Sequence, residues 1–73
     1  MSGMQEEVMP AYAKNIKALR KSKHWTQARL GMELFVSRAT VSHWERGEVE
    51  PAATNLIRMS KIFKVTVDYI VGN

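Results

Sequence analysis

Thr26 to Gly47 reads TQARLGMELFVSRATVSHWERG, and this stretch decides the fold. It divides into two short amphipathic helices with a tight turn between them. Thr26 is a good N-cap for the first, and Leu30 and Leu34 fall one turn apart on its inner side. Ser37 caps the second, and Gly47 stands where a left-handed glycine ends a helix. Two helices joined this way form a unit whose second helix is free to present one face outward.

On a wheel of ~100° per residue, Arg38, Ala39, Ser42, His43 and Arg46 share one arc of about 140°. Ser37, Val41 and Trp44 fall on the far side, with Thr40 beside them. The outer arc combines hydrogen-bonding groups, fixed positive charge and one small residue. A merely solvated face would favour Lys and Glu in i,i+4 pairs. Short polar side chains near a helix start suit the major groove of B-DNA instead. There arginine can bond guanine bidentately, serine and histidine can donate or accept, and Ala39 can pack on a thymine methyl. Arg38, Ala39, Ser42 and His43 are therefore the candidate base-contacting residues. Gln27, at the first position of the preceding helix, is a candidate phosphate ligand together with Thr26, as helix N-termini commonly are.

Working outward, Pro10 or Ala11 opens a helix to about Lys23, since proline suits a first helical turn. Tyr12, Ile16 and Leu19 form its expected inner stripe, and Lys14, Lys17 and Lys21 fall on another face. A loop from Glu48 to Pro51 leads to a fourth helix striped by Leu56, Met59, Ile62 and Phe63. A short fifth helix, Thr66 to Val71, carries Val67, Ile70 and Val71. Residues 1–9 are expected to be a flexible N-terminus, with the first three residues a possible cloning remnant, and 10–73 the single domain. No strand alternation or internal repeat is present.

The whole chain agrees. Its 73 residues carry a net charge of +4 and an isoelectric point near 9.8, a balance that favours an anionic partner. Most of the positive charge lies between Lys14 and Arg46, opposed there only by Glu33 and Glu45. There is no cysteine, which excludes a disulfide framework and thiolate metal sites and suits a reducing cytosol. No run is long enough to span a bilayer, so a cytoplasmic location is expected. His24, His43 and Glu45 lack the spacing of a metal site, because i,i+2 residues do not share a helix face. No nucleophile, base and orienting group assemble, so neither an enzyme nor a cofactor is expected. Trp25 and Trp44 are read as core residues rather than stacking platforms.

Gln27-x-x-Leu30, Val36-Ser37, Val41-Ser42-x-Trp44-Glu45-x-Gly47, Pro51 and Leu56 together resemble the Cro/C1-type (XRE-like) phage repressor family. The resemblance runs from about Ile16 to Ile70. It implies an all-α, five-helix domain that binds a palindromic operator as a dimer and regulates transcription in the cytoplasm. It also implies base contacts from Arg38, Ala39 and His43, and phosphate contacts from Gln27 and Arg46. An arginine late in the first helix commonly pairs with a glutamate late in the third, which here implies a structural ion pair between Arg20 and Glu45. The dimer surface is expected at Val67 to Val71. An alternative is a protein-interaction module such as an antitoxin that binds DNA secondarily.

The sequence departs from the family pattern in three places. Gly31 stands where alanine is usual. Phe35 occupies the turn position that is usually glycine, so the turn is either strained or differently shaped. The loop after the third helix carries Glu48 and Glu50 where the family is often basic. That loop is expected to point away from DNA.

Overall fold

The computed structural model describes residues 9–73. The expected flexible segment 1–9 therefore lies outside the described residues, except for Met9. Five α-helices and no strands occur among them: α1 Ala11–Ser22, α2 Gln27–Leu34, α3 Arg38–Glu45, α4 Ala53–Phe63 and α5 Val67–Val71. Among the described residues no helix is long and apolar enough to cross a membrane.

Three of the five helix starts, those of α2, α3 and α5, follow local side-chain chemistry. Oγ1 of Thr26 accepts from the backbone N–H of Arg29 at 3.0 Å, and Oγ of Ser37 accepts from that of Thr40 at 3.1 Å. Oγ1 of Thr66 accepts from the N–H of Tyr69 at 2.9 Å. Each satisfies a donor that the first helical turn leaves without an internal partner.

All five helices end alike. The backbone N–H two residues past the last turn reaches back five positions to close a Schellman motif. The donors are Trp25, Val36, Glu48, Val65 and Asn73, and the acceptors are the carbonyls of Arg20, Gly31, His43, Ser60 and Asp68. The residue before each donor sits at positive φ. Gly47 and Gly72 fill two of these places, but His24, Phe35 and Lys64 fill the others.

Phe35 is thus the usual left-handed turn carried by an unusual residue, with φ 61° and ψ 39°. Its ring is 81% exposed and lies 5.3 Å beneath the Arg58 guanidinium, which also donates to the Leu34 carbonyl at 3.3 Å. Left-handed backbone costs an L-residue ~1–2 kcal/mol. Replacing Phe35 by glycine relieves that strain but loses ~0.5–1 kcal/mol of cation–π attraction and gains ~0.4–1 kcal/mol of unfolded-state entropy. Phe35→Gly should therefore unfold in urea within about 1 kcal/mol of wild type. A loss of more than about 2 kcal/mol would mean that the ring supports more of the fold than its exposure shows.

Gly31 has a steric reason. A Cβ there would stand 2.7 Å from the Val36 carbonyl oxygen, so the bare backbone lets the turn close tightly over α2.

The core is built from Ile16, Leu30, Leu34, Val41, Trp44, Met59 and Ile70, with Leu56 and Phe63 at its margin. On α1 the buried line is Ala13, Ile16 and Arg20, while Tyr12 and Leu19 are only partly buried. The expected Tyr12–Ile16–Leu19 stripe is thus rotated toward α3 and α5. Trp25 packs on Phe63 with ring centroids 6.0 Å apart, and the Arg29 guanidinium lies over the Trp25 ring, 4.8 Å from its centroid. On α5, Ile70 is fully buried while Val67 and Val71 pack against the core. The apolar surface expected there for a dimer is thus largely spent inside the domain, leaving Tyr69 exposed. Asn15 on α1 ties α5 down, its Nδ2 donating to the carbonyls of Tyr69 at 3.0 Å and Ile70 at 3.1 Å.

Candidate nucleic-acid interface

α3 is anchored from behind by two kinds of contact. Val41 and Trp44 are buried in the core, and Glu45 meets Arg20 of α1 in a two-point ion pair. Nε of Arg20 donates to Oε2 of Glu45 at 2.6 Å, and Nη2 donates to Oε1 at 3.0 Å. The remaining guanidinium nitrogen, Nη1, donates to the Trp25 carbonyl at 2.8 Å. Both side chains are almost wholly covered, at 10% and 4% exposure. The structure thus brings together the pair expected from the sequence. Its planar, doubly bonded geometry fixes α3 in rotation as well as position.

Gln27 joins this pair. Its Nε2 donates to Oε1 of Glu45 at 3.1 Å, and the residue is half-buried. The side chain expected to meet a phosphate is therefore also a brace for the ion pair, and its second amide hydrogen remains for an outside acceptor. Thr26, the other candidate at this helix start, is exposed while its hydroxyl oxygen serves as the cap.

The opposite side of α3 faces out. Arg38, Ala39, His43 and Arg46 are exposed and Ser42 is half-buried. At the helix start Arg38 and Ala39 stand clear, beside a hydroxyl pair formed by Ser37 and Thr40 at 2.9 Å. At its end the polar groups are joined to one another. Nη1 of Arg46 donates to Oγ of Ser42 at 2.6 Å, and Nε of Arg46 donates to Oε2 of Glu48 at 2.9 Å. Oε1 of Glu48 lies 2.6 Å from Nδ1 of His43.

Here the structure corrects an expectation. Of the two acidic loop residues, Glu48 does not turn away: it folds back onto the outward face of α3. Gly47, at φ 73°, reverses the chain, and the Schellman hydrogen bond from Glu48 to His43 sets the carboxylate over the last helical turn. The sequence signal was available, since a residue directly after a C′ glycine occupies that place. The hydrogen bond from Arg46, then that from His43, holds the Glu48 carboxyl at about 2. Arg46 is in turn held more firmly in its cationic form, first by that bond and then by the nearby charge.

Lys14, Lys17 and Lys21 are exposed on α1, and Arg29 pairs with Glu33 at 2.9 Å on α2. Among the described residues no group of three His, Cys, Asp or Glu side chains could hold a metal ion. His43 and Glu45 lie on different sides of α3, one exposed and the other covered.

Residues 16–70 match the model of a family described as helix-turn-helix. The chain is 41% identical over 56 residues to repressor protein C2 of Salmonella phage P22, covering 77% of this chain and 26% of that protein. It is 37% identical over 61 residues to the transcriptional activator BcrR of Enterococcus faecalis, covering 84% of this chain and 30% of that protein. The chain thus spans about a quarter to a third of the length of these relatives. In three dimensions it is similar to the P22 c2 repressor solved in complex with a synthetic operator, with a TM-score of 0.78 and 38% identity. That match covers 82% of this chain and 91% of the solved one.

Proposed function

We propose, because this chain belongs to the helix-turn-helix family that its residues 16–70 match, that it binds duplex DNA sequence-specifically through α3 and regulates transcription. The observation that carries this is the mounting of α3: an outward polar arc held rigidly by buried Val41 and Trp44 and by the Arg20–Glu45 pair. A reading helix must present its side chains within fractions of an ångström, and a rigid element does that better than a loop. Residues 10–73 make up the DNA-binding unit.

Arg38 reads a guanine edge and Ala39 packs on a thymine methyl. Ser42 and His43 reach further bases. Arg46, Gln27 and Thr26 hold phosphates, which positions the helix without conveying sequence. A homodimer with its recognition helices about 34 Å apart would bind a palindromic operator. Bound over a promoter in the cytoplasm, it would exclude polymerase as a repressor. The protein works by binding and not by catalysis. The relatives named above are regulators, and none of them supports the toxin-neutralising alternative.

Selection from a random duplex pool tests this proposal. A palindromic site should emerge, with affinity falling steeply as salt rises, because phosphate contacts release counterions. Arg38→Ala should relax preference at one base step per half-site by roughly 1–3 kcal/mol. Gln27→Ala should weaken cognate and random duplexes alike. Binding that ignores sequence would sink the assignment.

A further inference from the structure

The end of α3 holds more than a set of exposed polar groups. The Glu48 carboxylate meets three donors or potential donors on two residues. Oε2 takes Nε of Arg46 at 2.9 Å. Oε1 takes Nδ1 of His43 at 2.6 Å and Nη2 of Arg46 at 3.3 Å. An ionised carboxylate accepts and cannot donate. With its carboxyl held at about 2, Glu48 remains ionised at neutral pH. The proton between it and His43 must therefore sit on Nδ1. That rules out a hydrogen bond from Nη2 of Arg46 to Nδ1, although the two lie 3.3 Å apart. Nε2 is then the ring's remaining polar atom, on a side chain that is 47% exposed.

We propose that Glu48 determines specificity by acting through His43: it fixes the imidazole proton on Nδ1 and so decides which base edge Nε2 can bond. The proposal rests on α3 being the recognition helix. In the neutral ring, Nε2 carries a lone pair and seeks a donor. In the major groove the donors are the amino groups of adenine and cytosine. The opposite tautomer would present an Nε2 proton and seek an acceptor: N7 or O6 of guanine, O4 of thymine or N7 of adenine, but nothing on cytosine. Glu48 is thus a positioning residue, and the contact it controls belongs to His43. The pairing of a histidine nitrogen with a carboxylate is a general way to set the chemistry of the other nitrogen.

The same carboxylate has a second effect. It lies against Arg46 and offsets a positive charge on the face that meets phosphates. Removing it should strengthen binding to any duplex while changing which duplex is preferred. Loss of structure would instead weaken both. Both ion pairs of Glu48 are exposed, and such pairs contribute little to folding, so variants at this position should fold.

Glu48→Gln separates the possibilities. Arg46 can only donate, so the glutamine oxygen must turn toward it and the amide NH2 toward Nδ1 of His43. The neutral imidazole must then carry its proton on Nε2. Nitrogen-15 NMR of the free protein, under conditions where the ring is neutral, should show Nδ1–H in the wild type and Nε2–H in the variant. Duplex selection should then move one base step per half-site from cytosine or the adenine amino group toward the acceptor-only edges of guanine or thymine. A single hydrogen bond supports roughly three- to tenfold discrimination, and affinity for random duplex should rise. The same tautomer in both proteins overturns the proposal, as does an unchanged base preference despite a changed tautomer. A wild type that selects no sequence overturns the recognition-helix assignment itself. The NMR comparison then still shows whether Glu48 controls the His43 proton.

Discussion

Replacing Glu45 by alanine should destabilise the domain by about 3–5 kcal/mol, because it strands a buried guanidinium. Arg20 would lose both carboxylate bonds and keep only the Trp25 carbonyl, and Gln27 would lose its internal acceptor. A domain of 73 residues has roughly 4–11 kcal/mol of stability at ~0.05–0.15 kcal/mol per residue. The substitution therefore removes a large share of the total. Urea unfolding followed by circular dichroism would read it directly. The paired replacement Arg20→Met with Glu45→Leu should recover much of the loss, because it leaves no lone charge in the interior. If the single variant lost less than about 1 kcal/mol, the pair would have to be treated as a surface contact.

Trp44→Ala should cost a comparable amount, about 3–5 kcal/mol, through lost apolar burial and the cavity left behind. Trp44 is 2% exposed and is the largest side chain that α3 contributes to the core. Its neighbour in sequence, Glu45, reaches α1 from the same short helix. The two variants should not add, since residues sharing one mount couple strongly. Thermal denaturation of the single and double variants would measure that coupling. A saturating cognate duplex should raise the melting temperature of each single variant, because a ligand that binds only the folded form stabilises it by mass action. Near-wild-type unfolding of Trp44→Ala would contradict the packing of α3 described above.

Much of this architecture is legible from residue type and spacing alone. Thr26, Ser37 and Thr66 each announce a helix start, and each side chain caps the helix that follows it. The wheel of α3 separates its buried side from its exposed one because two anchors, Val41 and Trp44, face the same way. The Arg20–Glu45 pair is legible only by resemblance: nothing in local spacing joins residues 25 positions apart. The burial line of α1 is less legible, since a helix packed against two neighbours buries a small alanine and an arginine stem as readily as a tyrosine. Phe35 could be read as strain or as another turn. The outcome is left-handed backbone with a ring lying outside the core, where no apolar pattern would place it.

Glu48 is the instructive case. Its charge suggests repulsion from a nucleic acid, and its loop position suggests freedom to turn away. Both inferences treat it as a point in sequence. The helix stop instead turns it back beside the end of α3, within reach of two side chains on the outer arc. The place was readable from Gly47, but the partners were not, because they depend on where Arg46 and His43 send their side chains. Gln27 was similarly readable as a residue at a helix start. Its bond to Glu45 required a third element in place.

The Asn15 contacts have a consequence for how the chain comes into being. Asn15 emerges early in synthesis, and the carbonyls it holds belong to Tyr69 and Ile70. Ile70 is itself wholly interior. A ribosome working at ~5–20 residues per second leaves α1 exposed for several seconds before its last partner is made. A nascent chain stalled before α5 therefore carries α1 without its final clasp, and the domain closes only once α5 has joined it.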